Sequence, residues 1–374
     1  VSADALLYDE LPNSKKQMLG SGDTDLLVSL DASRVLYSNL LTGQIDAATA
    51  NALTTLRQFQ RAQQEVRYQT IAAYYEVQRS LKRRDADAQA EKAMQAHAEL
   101  TQKMFQVGKV PELDVLRVQV QLADLRQRLV VSENAVNLAL ARLRNVMGIS
   151  DQEALSVEPP AENLVVELVP VEPEEELLTR AYEQRPEIAA AQAQISRAEA
   201  EQRQAAAGKQ PEVRAVGSYY REGTSPSLDY KDWYVGVRLS MPLHDSGATQ
   251  HGVKAAQANQ RAAEADLEAT RQRVRLDVHE AWLGVREATE RIAATQTAVQ
   301  QATRALEIER KRYELGMNTI LDVLDTQTAM TRAQYNFIDA YYAYHTALAK
   351  LHLAVADPDG AAPATTVQAG GRLP

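Results

Sequence analysis

A chain that repeats itself must fold into like parts, and this one does so at an offset of about 208 residues. Lys103, Gly108, Leu113, Asp114, Val115, Leu116 and Gln119 fall on Lys311, Gly316, Leu321, Asp322, Val323, Leu324 and Gln327, and Phe105 falls on Tyr313. One residue out of that register, Val28 falls on Val235, Ser33 on Ser240, Leu36 on Leu243 and Tyr75 on Trp282. The period is far longer than the roughly 20–50 residues of ordinary solenoids, so it reads as a duplication.

Local signals give each half the same order: strands, a long helix, a glycine-containing break and a return helix. In the second half a helix is predicted over 174–207 and ends at Gly208 and Pro211. Strands are predicted over 212–222 and 232–242, joined by the Gly/Ser/Pro-rich stretch 223–231. From Ala248 to Leu315 there is no proline, and the only glycines are Gly252 and Gly284. A helix of that extent would measure roughly 100 Å at about 1.5 Å per residue. Gly316 to Thr319 breaks it, and a last helix is expected over 320–356. The first half reads as a weak strand at 3–11, a strand at 26–37, the long helix 40–107 and the return helix 111–149, with no counterpart to 174–207.

The implied domains are a first half-repeat at 1–150, a segment at 151–173, a second half-repeat at 174–356 and a tail at 357–374, expected to be disordered. Residues 151–173 carry Pro159, Pro160, Pro170 and Pro173 among Glu158, Glu162, Glu167 and Glu172, the composition of a linker or an irregular belt.

The strands alternate sharply. Trp233, Val235, Val237, Leu239 and Met241 interleave with Tyr234, Gly236, Arg238 and Ser240, and Leu26, Val28, Leu30 and Ala32 with Leu27, Ser29, Asp31 and Ser33. Bilayer-crossing strands need about 9–11 residues with one apolar and one wet face. Tyr219, Tyr220, Tyr230, Trp233 and Tyr234 cluster where an aromatic girdle belongs. A soluble antiparallel sheet packed on helices gives the same alternation. The helices favour the membrane, since helices this long beside four short strands make no compact soluble domain. No apolar run approaches the roughly 20 residues of a spanning helix, so any crossing of a membrane falls to the strands. Four strands cannot close a barrel whose smallest forms have about eight, so a barrel requires several chains.

In 111–149, Val118, Leu122, Leu125, Leu129, Ser132, Val136, Leu140 and Met147 follow steps of three and four, as in supercoiling helices. Ala255, Ala256, Ala258, Ala262, Ala263 and Ala265 leave other helix faces small enough for close neighbours. A plain bundle or a filamentous coiled coil satisfies the same periodicity.

The duplicated halves, the hairpin ending in Met241-Pro242-Leu243, and the segment Tyr313…Gly316…Leu321-Asp322-Val323-Leu324-Asp325 resemble the TolC-like outer-membrane efflux proteins, over about residues 26–356. The resemblance implies a mainly α fold with a small membrane β-barrel portion: long coiled helices in two half-repeats and four strands per chain, the barrel completed by trimerisation. It implies a passive conduit across the outer membrane and periplasm, serving a tripartite efflux or type I secretion system. The implied partners are two further copies of the chain, a periplasmic adaptor, an inner-membrane pump reached through it, and outer-membrane lipid.

The resemblance also assigns residues. Asp322 and Asp325 match an acidic pair lining the periplasmic constriction. Tyr313 and Asp114 match a closed-state contact at the tip, Gly108 and Gly316 the helix breaks there, and Trp233, Val235, Val237 and Leu239 the lipid-facing strand. Asn318 and Leu113 depart from the pattern, which has arginine and threonine there, and Arg117 occupies the first-half position equivalent to Asp325. The plain alternative for these aspartates is helix capping or dipole complementation after the break, which suits Asp114 well, while Asp322 and Asp325 together modestly favour the gate.

Other chemistries find little footing. A formal charge of −9 disfavours a nucleic-acid surface. With no cysteine there is no disulfide, thiolate metal site or thiol nucleophile. No phosphate-cradling loop, metal-ligand cluster, cofactor motif or nucleophile elbow is evident, so an enzyme reading has no residues to assign. The alternatives to a channel are a structural coiled-coil periplasmic protein and a periplasmic adaptor; adaptors add compact β-domains for which no sequence remains.

Overall fold

The computed structural model describes residues 2–8, 25–150, 153, 155–161, 164, 168–224 and 230–357. Along the chain these form β1 (Ser2–Tyr8), β2 (Asp25–Tyr37), α1 (Asn39–Gln106), α2 (Glu112–Met147), α3 (Glu174–Gln184), α4 (Pro186–Ala206), β3 (Glu212–Thr224), β4 (Tyr230–Ser240), α5 (Ala248–Glu314) and α6 (Ile320–Val355). The molecule is mainly helical with one small antiparallel sheet. Beyond Asp357, the expected tail at 357–374 lies outside the described residues.

One departure from the sequence reading is physical. The helix expected over 174–207 is two helices, because Pro186 has no N–H to donate and drives the residue before it out of the helical region. Arg185 accordingly adopts φ −68° and ψ 124°, closing α3, and Pro186 opens α4.

The chain forms two compact units. The first comprises Val1–Leu56 and Ala189–Ala269. It holds the sheet, whose order is β1-β2-β3-β4 with every pair antiparallel. β3 and β4 are a hairpin, whereas β2 and β3 come from the two halves of the sequence and pair from Asp25↔Thr224 to Tyr37↔Val213, with an irregularity between Val35 and Tyr37. Helix α1 begins against α4: a Cβ on Gly43 would lie 3.0 Å from Cβ and 3.1 Å from Cα of Gln204, so a side chain there would have to push α4 back by a few tenths of an ångström. Arg203 pairs with Asp46 at 3.0 Å and Arg197 with Asn51 at 3.0 Å along the same seam.

The second unit comprises Arg57–Ile188 and Thr270–Pro374. Its core at one end draws on four helices: Ala90 and Met94 of α1, Val118, Leu122 and Leu125 of α2, Tyr313 of α5, and Ile320 and Val323 of α6. The three-and-four spacing read in 111–149 is largely the buried stripe of α2, which includes Val118, Leu122, Leu125, Ser132 and Val136. The described residues of the acidic, proline-rich segment contact the helices at several points. Leu155 and Val157 pack on Val77, Ala139 and Leu143. Gln78 donates to the Glu158 carbonyl at 2.7 Å, the Val169 N–H donates to the Tyr344 hydroxyl at 2.9 Å, and the Trp282 indole donates to the Glu172 carbonyl at 3.2 Å.

Candidate functional site

Two helix breaks dominate one end of the second unit, and they are built alike. Gly108 and Gly316 take φ of 73° and 72°, a left-handed conformation that glycine adopts without a Cβ penalty. Gly108 N–H bonds the Phe105 carbonyl and Lys109 N–H the Met104 carbonyl, both at 2.9 Å. Gly316 N–H bonds the Tyr313 carbonyl at 2.9 Å and Met317 N–H the Arg312 carbonyl at 2.8 Å. Paired bonds of this kind close a helix by the Schellman arrangement, and the two sets sit at the sequence repeat.

After the second break, Thr319 and Asp322 form a capping box. The Asp322 carboxylate accepts the Thr319 N–H at 2.9 Å and the Thr319 hydroxyl at 2.7 Å. These bonds, the side-chain one foremost, hold its pKa below the ordinary carboxylate range. Asp325 lies one turn on. It too is exposed, and no ion pair engages it among the described residues. Asp322 therefore does cap a helix, while Asp325 is an exposed charge with no capping duty.

Tyr313 is 5% exposed, and its hydroxyl makes no hydrogen bond among the described residues. The Thr101 hydroxyl, close by, donates instead to the His97 carbonyl at 2.9 Å. Burial raises the Tyr313 pKa, the nearby Thr101 side chain offsets part of the rise and the Asp114 charge adds to it, so the sequence-paired Tyr313 and Asp114 are within electrostatic reach with no hydrogen bond between them. Asp114 itself is largely covered and sits 3.9 Å from Arg117. Asn318 donates to the Glu309 carbonyl at 3.1 Å and to its carboxylate, tying the turn to its own helix. Sequence reasoning missed His97, whose ring packs on Tyr313, and Arg310, whose side chain donates to Gln327 at 2.7 Å. Neither has a matching partner at the repeat, so the sequence carried no signal for them.

The sheet forms a second surface. Directly opposed residues share a face. On one face Trp233, Val235, Val237 and Leu239 of β4 lie opposite Tyr219, Gly217, Ala215 and Val213 of β3, with Leu30, Ala32 and, beside Ala215, Arg34 of β2 beyond, so the face is mostly apolar with one charge toward its helix end. The four β4 residues are 68–78% exposed in the single chain. The other face carries Tyr234, Arg238 and Ser240 with Ser218, Arg214 and Glu212, then Asp31 and Ser33. No helix among the described residues is long and apolar enough to cross a membrane.

Three-and-four-stepped helices with matched glycine breaks, and a sheet with one mostly apolar and one polar face, are compatible with a channel-type protein. Sequence comparison agrees: the family described as "Outer membrane efflux protein" matches residues 16–149 and 177–356. The chain belongs to that family, and is accordingly an outer-membrane channel protein of export systems. It is 26% identical over 341 residues to the outer membrane protein TolC of Vibrio cholerae, covering 89% of this chain and 77% of the relative. It is also 26% identical over 302 residues to TolC of Escherichia coli, covering 76% of this chain and 60% of the relative. Among solved structures, the Campylobacter jejuni CmeC outer membrane channel superposes with a TM-score of 0.79 at 17% identity, over 95% of this chain and 76% of that one. The Vibrio cholerae outer membrane protein VceC gives 0.78 at 19% identity, over 95% and 85%.

Proposed function

We propose that three copies of this chain form one passive conduit, with a twelve-stranded barrel in the outer membrane and its helices lining a periplasmic passage. The observation that carries this is the four-stranded sheet, whose apolar face is bare and whose strand number is about half of what the smallest membrane barrel needs. Trp233, Val235, Val237 and Leu239 then face lipid, and Arg238 and Ser240 the lumen. The residues divide functionally into a first half-repeat at 1–150, the belt at 151–173 and a second half-repeat at 174–356.

The turns at Gly108 and Gly316 form the periplasmic tip. There Asp325, with Asp322, lines a constriction as stacked acidic rings. A buried Tyr313 with an unsatisfied hydroxyl near Asp114 supports the reading of this pair as a closed-state contact. The tip docks a periplasmic adaptor, which links the channel to an inner-membrane pump in an efflux or type I secretion system. Purified protein reconstituted in planar bilayers should conduct as a trimer with mass three times that of one chain. Conductance by single chains, or trimers that never conduct, would overturn the proposal.

A further inference from the structure

We infer that Arg221 and Lys231 form a binding site for the phosphate groups of a phosphorylated lipid in the outer leaflet, an inference that rests on the lipid-facing reading of the apolar sheet face. The two residues are directly opposed in the β3–β4 ladder and therefore share a face. That face is the mostly apolar one: the next pair toward the helices on the same side is Tyr219↔Trp233, then Gly217↔Val235 and Ala215↔Val237, with Arg34 of β2 beside Ala215 near the helix end. Val28 of β2 flanks Arg221 on its other side. The order along the strands is thus aliphatic, aromatic, cationic. That is the order of hydrocarbon, interface and headgroup met on leaving a bilayer.

The pair also lies at a defined end of the sheet. Strands β2, β3 and β4 all join their helices at the opposite end, through Tyr37 to α1, from α4 into Glu212, and from Ser240 to α5. None of these helices, over their described residues, is long and apolar enough to cross a membrane. The hairpin end with Arg221 and Lys231 is therefore the end turned outward.

Two like charges directly across a ladder destabilise a sheet unless an anion lies between them. The chain offers none among its described residues. Arg221 and Lys231 are both exposed and make no ion pair there. The neighbouring carboxylate, Asp232, alternates to the other face, where it accepts the Tyr220 hydroxyl at 3.2 Å, and it also accepts the Trp233 N–H at 2.8 Å. A phosphate suits the site: the guanidinium supplies a planar fork and the ammonium a point charge. Its acyl chains would lie along Trp233, Val235 and Val237, which ties the anion to a lipid rather than to a soluble phosphate.

The test uses the full trimer and lipid A as probe, with retention read by native mass spectrometry. The parent should hold lipid A at least fivefold more tightly than Arg221→Gln/Lys231→Gln. Lipid A stripped of its phosphates should bind the parent as weakly as it binds that variant. Equal retention by parent and variant, indifference to the phosphates, or displacement by millimolar inorganic phosphate would overturn the inference. The underlying lipid-facing reading is tested separately in a Trp282→Phe background, where Trp233 is the sole tryptophan. Its fluorescence should be quenched by brominated phosphatidylcholine equally with and without the Arg221/Lys231 substitutions. Absent quenching would reject the lipid face itself, whereas quenching without lipid A preference would reject only the phosphate site.

Discussion

The imidazole of His97 packs against the ring of Tyr313, with centroids 5.5 Å apart and planes inclined at 60°. This contact joins α1 to α5 just before the two glycine breaks. Burial, and after it the Arg310 charge, holds the His97 pKa below its ordinary 6.5, with Glu314 opposing in part. An unfolded His97 takes up a proton as pH falls through about 6.5, and the folded one resists. The packing is therefore fully stable above that pH, weakens as pH falls below it, and levels off once folded His97 is itself protonated. His345, depressed by burial, adds a loss in the same direction.

The expected outcome is faster hydrogen exchange at amides 97–108 and 305–316 when pH is lowered from 7.5 to 5.5, after correction for intrinsic rates. His97→Phe keeps a ring against Tyr313 and removes the titrating group, and should flatten that response at the tip. A parent and variant with the same pH profile would show that His97 does not set it.

The acidic pair separates into two kinds of test. Asp322 is committed to the Thr319 cap, so its replacement mixes a folding effect with a charge effect. Asp325→Asn changes charge alone. It should lower cation selectivity and weaken block by multivalent cations in single-channel recordings, because a narrow ring of like charges concentrates cations. Its thermal unfolding should match the parent's. Unchanged selectivity and block in Asp325→Asn would remove Asp325 from the constriction.

The two faces of β4 predict unequal responses to the same substitution. Val237→Arg puts a charge on the apolar face and should cost about 2–4 kcal/mol if the residue lies near the bilayer midplane. Ser240→Arg, on the polar face, should cost little. Folding titrations in lipid vesicles read the difference, and equal effects would assign the sheet to a soluble setting.

Much of this architecture was legible in the sequence, because its signals are local. Period-two alternation marked β4, three-and-four spacing marked the buried stripe of α2, and the glycine at each break stood at the repeat offset. What escaped were contacts between distant residues. Nothing near Gln78, Trp282 or Tyr344 announces that each bonds a main-chain group of the acidic, proline-rich segment 80 to 175 residues away. The capping role of Asp322 was readable from Thr319 three residues before it, yet the family pattern gives the same residue to the gate. The break at Pro186 had a plain local cause that the alanine-rich composition around it obscured.

That break places the most deeply buried charge in the second unit. Arg185, at the extended joint between α3 and α4, is 2% exposed. One guanidinium nitrogen meets Asp277 of α5 at 2.8 Å and the other Glu187 at 3.0 Å, while Glu187 also meets Arg61 of α1 at 2.8 Å. The fork thus ties three helices through one residue. Arg185→Met should destabilise by about 2–4 kcal/mol, somewhat less than full loss of a buried ion pair because Asp277 is partly exposed and can rehydrate. Arg185→Lys should recover only part, since an ammonium cannot reproduce the planar fork. The cost comes chiefly from Asp277 left without a partner, since Glu187 keeps Arg61, so adding Asp277→Leu to Arg185→Met should restore much of the loss. Denaturant midpoints of the solubilised protein, compared at constant slope, measure each step. If Arg185→Met unfolds at the parent's midpoint, the network contributes nothing to stability and the joint is held by packing around Pro186 alone.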